Sequence, residues 1–135
     1  MDYFLNTTND IMSWFEGNAE VNEVGFGDTG EFDVTTITNF PYVFIIPTSL
    51  QPSGSLTTFT YQILVTDVII DVYDSPLKAL SRMADIIIQF AKDKGLDVTI
   101  ENLYSTNEVI YDQRGNRVYG WVFNYDVTVQ TVRVC

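Results

Sequence analysis

Two rhythms of apolar residues dominate the chain. Across residues 58–68, Phe59, Tyr61, Ile63 and Val65 alternate with Thr60, Gln62, Leu64 and Thr66. A period of two predicts a half-buried β-strand. Across residues 76–94 the period becomes helical. At 100° per residue, Leu77, Leu80, Ala84, Ile87, Ile88 and Ala91 share one stripe, and Ala79, Met83, Ile86 and Phe90 form a second beside it. The two stripes span an apolar arc of roughly 200°, wider than a helix resting on one sheet face needs. Ile86 points away from Leu77 and Ile88, so the second stripe needs its own cover. Either an N-terminal helix or another subunit supplies it, and Ala79, Met83, Ile86 and Phe90 are candidate subunit-interface residues because an exposed stripe of this size marks an interface.

Local signals frame these two elements. Ser75 and Pro76 form a helix start, Gly95 a stop, and Lys92 and Lys94 lie near the negative end of the helix dipole. A shorter helix is predicted over 2–16, with Gly17 ending it. Residues 17–33 read as a loop or weak hairpin. One or two strands follow over 34–46, interrupted at Phe40-Pro41 and closed by Pro47, with 48–55 as a flexible turn region. Short strands are expected over 97–103 and 108–111, then a turn at 112–116. The last strand runs from Arg117 to about Val134, with Tyr119, Trp121, Phe123, Tyr125, Val127 and Val129 on one face and a phase shift beyond Gln130 that suggests a bulge. The expected fold is a single α+β domain over 1–135, a mostly antiparallel sheet packed against one long amphipathic helix plus a short N-terminal helix.

Composition narrows the chemistry. The 135 residues include no histidine and one cysteine, Cys135. Ser-His-Asp and Cys-His nucleophilic sites, His-ligated metals, zinc ribbons and internal disulfides are therefore not available. Eighteen acidic residues against seven basic give a net charge of −11. The imbalance is one-sided. The first cation is Lys78, residues 1–77 hold eleven carboxylates, and residues 78–135 hold seven charges of each sign. Such an anion is a poor partner for nucleic-acid phosphates or anionic lipid, so neither sequence-specific nucleic-acid binding nor a membrane partner is expected. No cationic, apolar leader opens the sequence, and no apolar run approaches the roughly 20 residues that span a bilayer. A soluble intracellular product is the expectation.

The motifs that resemble chemistry lack its context. Gly25-Phe26-Gly27-Asp28-Thr29-Gly30 matches G-x-G-x-x-G, but a β-like stretch with Glu31 and Asp33 follows where a dinucleotide site needs a helix. Asp67, Asp71 and Asp74 cluster where the central strand hands over to the helix, and three carboxylates there suit Mg²⁺ or Mn²⁺. No Lys, Arg or His lies among them as base or clamp, which leaves a metal-dependent hydrolase the weakest alternative. The aromatic face of the last strand lacks the cationic groove of a single-strand binder and reads as core. No catalytic residue, cofactor or metal is assigned, and no enzyme activity is expected.

The order of elements resembles the tail-terminator (tail-completion) proteins of long-tailed bacteriophages. The resemblance rests on an N-terminal helix, the strand Phe40-Pro41-Tyr42-Val43-Phe44, the central strand Tyr61-Gln62-Ile63-Leu64-Val65, one amphipathic helix and a closing strand Tyr119-Gly120-Trp121-Val122-Phe123. It implies a virion structural protein of the tail or neck, assembled in the host cytoplasm. In that role a homo-oligomer, a hexameric ring, caps the tail tube protein and meets the head connector protein. Glu20, Glu23, Asp28, Glu31 and Asp33 then line an acidic lumen or meet a basic partner. Another neck or tail adaptor and an acidic DNA mimic are the alternatives, although eleven carboxylates over 77 residues are sparse for a mimic of duplex phosphates.

Overall fold

The computed structural model describes residues 2–28, 39–68, 75–103, 111 and 114–131. The alternating segment becomes the centre of the sheet. Strand β3 (Leu56–Val68) pairs antiparallel on one side with β2 (Tyr42–Ser53) and on the other with β5 (Val118–Gln130). The short strands β1 (Glu23–Phe26) and β4 (Ile100–Asn102) form the two edges, giving the order β1-β2-β3-β5-β4. β1 runs parallel to β2, so the five-stranded sheet is mixed. The sequence pattern predicts a loop or weak hairpin over 17–33, and the structure places β1 there. Four residues are too few to show a period, and β1 exists because the apolar run Tyr42–Ile45 offers it a paired edge.

Helices α1 (Tyr3–Glu16) and α2 (Pro76–Lys94) cover one face of the sheet. Both termini of α2 are chemically specified. Ser75 Oγ accepts from Lys78 N–H at 3.2 Å, and Gly95 closes the helix in the left-handed conformation at φ 65°. Trp121 Nε1 donates to Leu80 O at 2.8 Å and ties α2 to β5. α1, with 14 residues against 19, contributes the fully buried Phe15 and the nearly buried Ile11. The helical layer is therefore two real helices, not one long helix with a minor companion.

The core has two sides. Phe59, Tyr61, Ile63 and Val65 face the helices with Val43, Ile45, Phe123 and Tyr125. On the other face, Tyr42, Phe44, Ile46, Leu64, Val68, Val118 and Val122 cluster around Leu103. The alternation predicts Leu64 and its neighbours on the water-facing half, yet β3 is buried on both faces from Ile63 to Val68. That is the burial of a central strand.

β2 also runs further than its sequence suggests. Pro47 does not close the strand. The register shifts between Pro47 and Ser49, Thr48 Oγ1 donates to Thr60 O at 3.1 Å across the irregularity, and pairing continues to Ser53 opposite Leu56. β1 stops opposite Ile45, so among the described residues Pro47 sits on an outer edge, where its missing N–H costs no ladder bond. The turn shrinks to Gly54 and Ser55. The strand expected over 108–111 and the phase shift expected beyond Gln130 fall largely or wholly outside the described residues.

Candidate assembly surfaces

The four residues assigned to a subunit interface lie inside the chain. Ala79, Met83 and Phe90 are fully buried and Ile86 nearly so. α1 is the cover. Phe90 stacks on Phe15 at 4.9 Å between centroids, meets Trp14 edge-on at 5.0 Å, and reaches Tyr125 of β5 at 5.1 Å. Asp93 links the two helices by accepting from Trp14 Nε1 at 2.9 Å, and it also accepts from Gln89 Nε2 one turn earlier in α2 at 2.9 Å. The interface assignment is thus corrected: this stripe is the seam between α1, α2 and the sheet.

The overrun appears on the opposite flank of α2. Of the stripe expected to be the inner one, only Ile87 is fully buried, while Leu77 is 77% and Ile88 45% exposed. Ile88, Ala91 and Lys92 line a shallow groove with Leu96, Asp97, Val98 and Ile100, about 410 Å³ in volume, between the helix and the β4 edge. A second apolar patch lies at the other edge. Phe4, Leu5 and Phe26 are 41%, 54% and 41% exposed, and Phe4 meets Phe26 edge-on at 6.3 Å.

The acidic candidates divide. Glu23 lies on β1 and Asp28 just beyond it, both exposed. The Glu23 charge, second to burial, helps push the Tyr42 phenol above its ordinary range. Glu20 borders a different recess, shared with Asn18, Arg82, Asp85 and Ile86. Glu31 and Asp33 lie outside the described residues.

Of the three clustered aspartates, Asp71 and Asp74 also lie outside the described residues. Asp67 is 7% exposed; its Oδ1 accepts from Val68 N–H at 2.8 Å and its Oδ2 from Arg82 at 3.4 Å. The fold therefore supplies the cation that the local sequence lacks, from within α2 and fifteen residues on. The strand-then-helix order places Arg82 above the end of β3, but no local spacing announces it. Among the described residues, no three acidic or cysteine side chains gather in a metal-binding group. The glycine motif resolves too. Gly25 lies within β1, where a β-carbon would collide with the Tyr42 phenol, so this glycine makes room for the Tyr42 ring.

Buried phenols complete the helix-facing core. Tyr61 Oη and Thr8 Oγ1 share a hydrogen bond of 2.8 Å. Burial raises the Tyr61 pKa and this bond partly offsets the rise, while burial followed by the charges of Asp10 and Tyr61 raises that of Tyr125. Among the described residues, no helix is long and apolar enough to cross a membrane. No known family model matches the sequence, and no curated protein is significantly similar to it.

Proposed function

We propose that the chain is a ring subunit of a bacteriophage neck, capping the tail tube and joining it to the head connector. The carrying observation is the apolar arc of α2. It continues past the area that α1 and the sheet cover, leaving Leu77 in water in the first turn of the helix and Ile88 in water further along, at a groove lined mainly by apolar side chains. Large apolar side chains grouped on one flank favour association. The acidic N-terminal portion suits a ring through which a duplex passes, because a wall of like charge discourages DNA from condensing on it.

Sedimentation equilibrium of the purified chain tests this reading. The expected result is a discrete species at six times the 15.4 kDa protomer mass, which adds to tail tubes and permits head joining in an assembly extract. A strictly monomeric chain that leaves head joining unchanged when omitted defeats it.

A further inference from the structure

Where β1 and β4 stop, β2 and β5 run on with outer edges unpaired among the described residues, and the two edges are not alike. Beyond Ile45 the open stretch of β2 contains Pro47 and Pro52. Each lacks an N–H, so this edge is a poor template for another strand. On the far side, β4 covers β5 only from Trp121 to Phe123, and residues 97–99 then flank Asn124 across a recess of about 380 Å³. From Asp126 to Gln130 the inner side of β5 is paired throughout with β3, and its outer side meets no strand among the described residues. This stretch has neither proline nor lysine, two of the residues that protect an edge. Asp126, Thr128 and Gln130 are exposed on one face, while Val127 and Val129 are half-buried on the helix-facing side.

We propose that the Asp126–Gln130 edge pairs antiparallel with the same edge of a second copy of this chain, about a two-fold axis at Thr128. The inference goes beyond the ring reading and does not rest on it; six copies can hold three such pairs. A bare strand edge is satisfied by another extended strand, which meets its row of N–H and C=O groups. The side chains then select the register. Directly opposite residues share a face, so an axis falling between two residues sets polar side chains against valines. Centring on Asp126 opposes two carboxylates. Centring on Val127 drives the copy alongside Asn124 and residues 97–99, and centring on Val129 sets Val127 against Thr131. Centring on Thr128 does none of these. Asp126 accepts from the Gln130 amide of the copy, and Val127 meets Val129. Thr128 meets its counterpart, its hydroxyl keeping an acceptor site beside the 2.9 Å bond to Thr58. The edge is complementary to itself, which makes the copy its occupant.

Charges placed at the axis test the proposal. The wild-type chain should sediment as an even-numbered species. Thr128→Lys and Thr128→Glu alter an exposed position, so both should keep the wild-type circular dichroism spectrum. Each alone sets like charges across the axis and should weaken pairing by about tenfold or more; mixed in equal amounts, the two should pair again. A second measurement does not depend on a charge. With Cys135→Ser removing the native thiol, Thr128→Cys should oxidise in air to a covalent dimer, whereas Ser49→Cys on the β2 edge should not. A monomeric wild type, or a Thr128→Lys chain that keeps the wild-type mass, overturns the pair. Equal cross-linking at Ser49 and Thr128 overturns the choice of edge. The ring reading separates cleanly: a hexamer unmoved by Thr128→Lys overturns this contact alone, and a wild-type dimer that forms no hexamer supports the contact and overturns the ring.

Discussion

The two ends of the sheet use the same three strands in opposite ways. At one end, residues 42–46 and 63–68 are buried on both faces, Thr66 and Asp67 included, and residues 118–123 are buried except for the half-buried Tyr119 and Trp121. At the other, Ser49, Gln51, Asn124, Asp126 and Thr128 are exposed, and Thr58 shares a hydroxyl bond with Thr128 at 2.9 Å. Register continues through both ends, from Val68 opposite Val118 to Leu56 opposite Gln130. Backbone pairing thus runs through both ends, while burial on both faces is confined to one, and that end holds more of the stability. The contrast separates what keeps the chain folded from what it can offer a partner.

The sharpest test of that contrast is a cavity at the sealed end. Phe90→Ala removes a fully buried ring from the helix seam and should cost about 3–5 kcal/mol, read as a lower midpoint in urea denaturation. A loss under about 1 kcal/mol would place the seam outside the stabilising core. Next in size, Asp67→Ala strips the acceptor from Val68 N–H and the partner from Arg82, and should cost about 1–3 kcal/mol. Asp67→Asn retains an acceptor and should cost less, since Arg82 is itself 43% exposed and screened by solvent. Equal losses in the two variants would mean that the ion pair, and not the backbone contact, holds this corner.

Thr8→Val should cost about 1 kcal/mol through the lost bond to Tyr61. It should also raise the Tyr61 pKa further, because that bond opposes the effect of burial. The pH dependence has a definite sign. Tyr42, Tyr61 and Tyr125 all have folded pKa values above the ordinary 10.0. Above pH 10 the unfolded chain releases these protons first, so stability is whole below that pH and falls as pH rises toward the folded pKa values. Thermal melts followed alongside phenolate absorbance should show unfolding and ionisation advancing together; phenols that ionise freely in the folded state would contradict it. The smallest effect belongs to the open end. Leu50→Thr, at a position 59% exposed, should stay within about ±0.5 kcal/mol, and a larger loss would move the boundary of the core outward.

Several features were legible from local pattern alone. The period of β3, the Ser75 and Gly95 ends of α2, the helix-facing set from Tyr119 to Val129 on β5, and the division of charge at Lys78 all rest on neighbours a few residues apart. Steric limits, capping and side-chain periodicity act at that range. The width of the α2 arc was legible too, but not which half of it would be covered. That depended on where Phe15 and Trp14 of α1 arrive, more than sixty residues earlier in the chain. Tertiary structure likewise decided that β1 pairs with β2, that β2 continues past Pro47, and that Arg82 meets Asp67. A period specifies which side chains share a face; what that face meets is decided by the packing of segments distant in sequence, where burial against a particular neighbour outweighs local preference.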